Sequence, residues 1–181
     1  MLSQIIKPEI MKKTVLKYGL ISGGIMIGIF TVLMAMSEMT DPLDFDTQEI
    51  LGYSSMIIAT SVVYFGIKHY RDNENNGNIT FGKGLAIGLL IVMFPAVLIG
   101  AGDVFYTTII NPEWMETYYA TYASEMQATM SEEEFKTALA QMESEKEMFA
   151  NPMFTFFIMF STVFLIGLIV AIISSLVLKK G

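Results

Sequence analysis

The sequence predicts an all-α protein with four transmembrane helices, arranged as two hairpins, and an extracytoplasmic amphipathic helical segment between spans three and four. Three observations predict it: four long apolar runs without charge, basic residues gathered on alternate flanks of those runs, and helical periodicity between the last two. The 181-residue chain is 53% hydrophobic and 16% charged, respectively too high and too low for an ordinary soluble domain. A soluble core of this size could not hide that much apolar surface, so the excess faces lipid. Residues 1–181 are read as a single membrane domain.

The uncharged runs are Tyr18 to Ser37, Ile50 to Ile67, Leu85 to Gly102 and Met153 to Leu178, and the spans are placed at about 18–37, 50–67, 85–106 and 153–178. A helix rising ~1.5 Å per residue needs about 20 residues to cross a ~30 Å hydrocarbon layer. Backbone amides in lipid are satisfied only within a helix or a closed barrel. The runs are continuously apolar and do not alternate, which excludes barrel strands. The first run is longer than the apolar core of a signal peptide, so it is expected to stay as a span.

Orientation follows from lysine and arginine. Lys7, Lys12, Lys13 and Lys17 precede span one; Lys68, Arg71 and Lys83 lie between spans two and three; Lys179 and Lys180 follow span four. The positive-inside rule places these flanks, and both termini, in the cytoplasm of a cell with the chain in its inner membrane. The segment Glu38 to Glu49 has no basic residue, and the one after span three has only Lys136 and Lys146. The net charge of −7 therefore averages over two segregated signs.

Of the loops, Glu38 to Glu49 is acidic with an Asp41-Pro42 turn signal. The loop with Asn73, Asn75, Asn76, Gly77 and Asn78 reads as a polar hairpin tip. The extracytoplasmic helical insertion, 107–150, carries more information. Asn111-Pro112-Glu113 reads as an N-cap, a first-turn proline and a first-turn acid. Trp114, Met115, Tyr118, Tyr119, Tyr122, Met126 and Met130 then recur at helical spacing. Ser131 and Glu134 form a capping box that opens a further stretch, with Phe135, Ala138, Leu139, Met142 and Phe149 continuing the stripe. Asn151-Pro152 caps span four in the same way. One or two helices fit this pattern, with an aromatic and methionine face opposite a glutamate face. The face is acidic, where a helix lying on a membrane would carry lysine or arginine. It is expected to pack against protein, with the two stripes burying each other.

Chemistry-bearing residues are few. The chain has no cysteine and one histidine, His69, so no catalytic, cofactor-binding or metal-binding residue is expected. Asp103 stands at the end of span three, where it reads as an interfacial anchor before a gating or ion-binding group. Pro95 is expected to kink the same helix, mainly as a structural feature. Lys68 and Arg71, with Lys83, read as a headgroup-facing basic cluster. Gly19 and Gly23, Gly24 and Gly28, and Gly84 and Gly88 are four apart, a spacing that lets helix backbones approach. The sixty-residue offset between Gly24/Gly28 and Gly84/Gly88 hints at duplicated hairpins. Met126 and Met130 could suit soft copper(I), but core packing is the commoner use of methionine. Ser54, Ser55, Thr60 and Ser61 in span two could form a polar seam, and such hydroxyls usually bond a preceding carbonyl.

Several stretches are similar to one known family. They are Gly52-Tyr53-Ser54-Ser55-Met56-Ile57-Ile58-Ala59, Phe65-Gly66-Ile67-Lys68 with Tyr70-Arg71-Asp72, and Ile79-Thr80-Phe81-Gly82-Lys83. Asn151-Pro152, then Gly167-Leu168-Ile169-Val170 and the closing Lys179-Lys180, continue the likeness. Together they resemble the bacterial membrane-protein family catalogued as domain of unknown function 4199. The likeness runs from about Met11 onward, and Met11-Lys12-Lys13 looks like that family's ordinary start. The resemblance implies four spans with a helical loop and brings no functional residue. The expected function is a non-enzymatic structural or protein-interaction component of the membrane, with a small solute or ion transporter or channel as the alternative. The partners implied are the lipid bilayer and a second copy of the chain or a membrane or periplasmic protein, with no nucleic acid.

Overall fold

A computed structural model describes residues 2–39 and 45–180, with the side chains of 9–35, 47 and 49–180. The Asp41-Pro42 turn lies outside the described residues. Among the described residues six α-helices follow in order: α1 (Leu2–Met39), α2 (Phe45–His69), α3 (Phe81–Phe105), α4 (Trp114–Thr129), α5 (Glu132–Phe149) and α6 (Pro152–Leu178). Single π-helical turns extend α2 (Tyr70–Glu74) and α3 (Tyr106–Ile110). Among the described residues the only extended pairing is an isolated bridge between Ile79 and Lys180. Apolar stretches long enough to cross a membrane run over Glu9–Ala35, Glu49–Glu74, Phe81–Ile110 and Pro152–Leu178. The fold is all-α with four membrane-spanning helices, and the protein is a multi-pass membrane protein. Helices α1, α2 and α3 run past their uncharged runs, because charged side chains at a span's end reach water while the backbone stays helical.

The chain divides into two compact units, residues 1–99 with 160–181, and residues 100–159. In the first unit α3 is the central helix. Half of its most apolar stretch is buried within the protein, against 17% for α6. Its Ile87, Ile91, Val92 and Ala96 are fully buried and join two clusters, one with Val63, Ile67 and Ala171, the other with Met26, Ala59 and Val163. Large side chains such as Leu165, Ile169 and Ile173 on α6 stay exposed. That apolar surface suits hydrocarbon tails and would be unfavourable in water.

Small residues set how closely these helices approach. A Cβ on Gly88 would lie 2.8 Å from Cβ of Ala171 and 3.1 Å from Cγ1 of Val63. One on Gly84 would lie 3.0 Å from Oγ of Ser175, the one buried side-chain polar atom without a hydrogen-bond partner among the described residues. Gly19 and Gly23 on α1 meet Phe94 and Leu98 of α3. Gly24 and Gly28 have no atom within 4 Å of a Cβ and are exposed. The hinted duplication with Gly84 and Gly88 is thus not mirrored in packing, because Gly19 and Gly23 face α3 and the other pair does not. Gly66 and Gly167, absent from the sequence-derived set, sit against Ile91 and Val92.

The hydroxyls of α2 are engaged by backbone. Ser55 donates to the Gly52 carbonyl, Thr60 to Met56 and Ser61 to Ile58. Ser22 of α1 reaches across to the Ala59 carbonyl at 2.7 Å. Pro95 is buried inside an α3 that stays helical from Phe81 to Phe105. Lacking an amide proton, it leaves the Ile91 carbonyl without its usual helical donor.

Candidate ligand cavity in residues 100–159

The second unit is built from the last turns of α3, the antiparallel pair α4 and α5, and the start of α6. Periodicity allows one helix or two here; the structure has two, and the turn between them follows from capping. Ser131 accepts from the Glu134 amide while the Glu134 carboxylate accepts from the Ser131 amide, which completes the capping box. At the next junction Asn151 Oδ1 accepts from the Met153 amide at 2.9 Å, with Pro152 as the first helical residue. The reading of Asn111 as the N-cap of α4 needs correction. Helix α4 begins at Trp114, and Asn111 serves through its carbonyl, which accepts from the Trp114 amide at 3.2 Å. Asn111 is tied to the π-turn instead, its amide donating to the Tyr106 carbonyl five residues back and its Nδ2 to the Tyr106 hydroxyl at 3.4 Å.

Between α4 and α5, Tyr119, Met126 and Met142 are buried, with Met115, Phe135, Ala138 and Leu139 packed on them. The stripes do not close completely. They leave a cleft of about 640 Å³, lined by Trp114, Met115, Tyr118, Tyr119, Tyr122, Met126, Met130, Ala138, Gln141, Met142, Glu145 and Phe149. Asp103 and Thr107 from the end of α3, and Thr155 and Met159 from α6, complete the wall. This volume falls within the few hundred to a thousand Å³ typical of small-molecule sites. Trp114 and Tyr118 are stacked with centroids 5.3 Å apart, and Tyr118 and Tyr122 lie nearly parallel at 6.1 Å.

The polar groups of the wall differ in how well they are partnered. Thr107 and Thr155 donate to the Asp103 and Phe149 carbonyls. Gln141 donates to Glu145 at 3.0 Å. Burial, and after it the Glu145 charge, raise the Tyr119 phenol above its ordinary pKa, so it remains a neutral hydroxyl. The Asp103 carboxylate, half-buried, has no hydrogen-bond or ion-pair partner among the described residues.

A family model described as a protein of unknown function, DUF4199, matches residues 17–180. The chain belongs to this family. No curated protein and no solved structure matches it.

The other sequence-derived candidates of this DUF4199 chain fall in the first unit. Lys68 is exposed. Arg71 donates to Asp72 at 2.6 Å and to the Leu178 carbonyl at 3.3 Å. Lys83 sits 5.0 Å from the centre of the Tyr70 ring. Arg71 and Lys83 thus each meet a separate local partner. Beside them is a polar node that sequence reasoning missed. Buried Thr14 of α1 donates to Glu74, 2.8 and 2.7 Å from its two oxygens, and Glu74 lies 3.4 Å from Nε2 of His69. Asn73 contacts Nδ1 of His69 at 3.1 Å, and the Tyr18 ring lies 5.5 Å from the imidazole. The π-turn Tyr70–Glu74 widens the helix where this node forms, a feature common at functional sites. No signal in the sequence could pair Thr14 with a residue sixty positions away.

Proposed function

We propose that this is a non-enzymatic inner-membrane protein, both termini cytoplasmic, whose residues 100–159 bind a small apolar molecule. The observation that carries this reading is the cleft between α4 and α5, with stacked aromatic rings and methionines on its walls and a few polar groups among them. Methionine is unbranched and polarisable, so such a wall adapts to ligand shape. The orientation rests on the nine basic residues flanking alternate span ends, with only Lys136 and Lys146 between spans three and four. The reading as a transporter is weaker, because the α2 hydroxyls that would line a path donate to backbone carbonyls instead.

A protein-contact role is the second reading, favoured by Glu116, Glu125, Glu133, Glu143 and Glu147, all exposed on the hairpin. Deleting Glu113 to Phe149 would then abolish crosslinks to partners while membrane insertion persists; an unchanged set of crosslinked partners opposes it.

Trp114 is the sole tryptophan of the chain and lies in the cleft wall, so its emission reports occupancy. Titrating the purified protein with neopentylbenzene, a neutral apolar probe, is expected to change Trp114 emission saturably. Ala138→Phe, which fills the cleft, is expected to remove the change. A response that never saturates, or that survives Ala138→Phe, would show partition into detergent and end this reading.

A further inference from the structure

We infer that the cleft in residues 100–159 selects organic monocations, that is, hydrophobic amines or quaternary ammonium groups. The inference rests on the proposed binding role and adds the chemical class of the ligand. Three independent features of the wall converge on it.

The first is Asp103, whose half-buried carboxylate lacks any partner among the described residues. A neutral ligand closing over that group would remove water from a charge and return nothing, which is costly. A cation would compensate it. The second is the group of electron-rich rings lining the cleft, Trp114, Tyr118 and Tyr122, since an ammonium over an aromatic face within about 6 Å of the ring centre is attracted by its negative potential. The third is the sign of everything else nearby. No lysine or arginine lines the cleft, and Glu145 does. Across residues 100–159 there are ten carboxylates against two lysines. That field repels anions and concentrates cations.

Benzyltrimethylammonium and neopentylbenzene have nearly the same shape and differ by one positive charge. With both titrated against Trp114 emission in a neutral detergent, the cation is expected to bind roughly tenfold more tightly or better. Asp103→Asn is expected to erase most of that preference while neopentylbenzene still binds, which also shows that the variant is folded. Glu145→Gln, on a different helix, is expected to reduce the preference by a smaller factor and serves if the first variant does not fold. Equal affinity for the two probes, or a preference that survives both substitutions, overturns the cation inference and leaves the apolar cleft standing. Failure of both probes overturns the binding role itself. An ammonium could be free or part of a lipid headgroup. Displacement of the bound cation by dihexanoylphosphatidylcholine, but not by its phosphatidylglycerol counterpart, assigns the headgroup source. Displacement by neither assigns a free amine.

Discussion

The two units of this protein treat side-chain polarity and volume in opposite ways. In the first, glycines and alanines bring helices into close contact, and the Glu74 carboxylate is held by the buried Thr14 hydroxyl. In the second, large aromatic and methionine side chains face one another across unfilled space, and a half-buried carboxylate stands without a partner. The contrast teaches how to separate packing from binding when both regions are helical and apolar. Membrane helices gain little from burying apolar groups away from equally apolar lipid, so they associate by close fit and hydrogen bonds. A region that forgoes close fit and leaves charge uncompensated is not optimised for stability, and such deviations are expected at functional sites.

The sharpest way to break the contrast is to overfill the first unit. Gly88→Val puts methyl groups where Ala171 and Val63 already stand, and overpacking of this kind costs about 3 kcal/mol. Denaturant unfolding in detergent is expected to show this as the largest loss among the substitutions considered. Gly24→Ala, four residues from an equally placed glycine but with open space around it, is expected to leave the midpoint unchanged. If both variants unfolded alike, close helix contact would not be what holds this unit.

A smaller effect is expected at the polar node. Thr14 is 2% exposed and its hydroxyl donates to the Glu74 carboxylate. Thr14→Val removes that bond, and hydrogen bonds to charged groups contribute about 1.5–3 kcal/mol net. The same unfolding titration is expected to show a loss below that of Gly88→Val. A Thr14→Ser variant, which keeps the donor, is expected to recover most of it. Equal losses in both variants would show that the hydroxyl's bond to Glu74 is not what Thr14 contributes.

These residues also mark what could be read from sequence. The spans were legible because hydropathy depends on composition alone, and so was the start of α5, because Ser131 and Glu134 are neighbours in the chain. Periodicity named Trp114, Tyr118, Tyr122 and Met130 as one face, but it carries no information about how near the facing helix comes. The stripe was read as closed packing, and the cleft became visible only with α5 in place. Glycine spacing had the same limit. It could not say that Gly19 and Gly23 meet α3 while Gly24 and Gly28 meet nothing. Long-range pairs such as Thr14 with Glu74 and Ile79 with Lys180 were beyond it altogether.

The gentlest test concerns the cap that shapes the second unit. The Ser131 hydroxyl and amide both donate to Glu134 and hold its carboxyl below the usual pKa. A depressed value in the folded state means that stabilisation is fully present above the ordinary glutamate range. It is lost as pH falls through the folded value. Hydrogen exchange in the first turn of α5, corrected for intrinsic rates, is therefore expected to speed up on acidification, and Ser131→Ala is expected to flatten that dependence. The cap is exposed, so the change is expected to be smaller than at Thr14 and confined to α5 and the turn before it. If the cleft owes its width to how α5 starts, Ser131→Ala is also expected to weaken probe binding at neutral pH without moving the unfolding midpoint of the first unit. Unaltered binding beside faster exchange would show that the aromatic wall is positioned by the buried Tyr119, Met126 and Met142 alone.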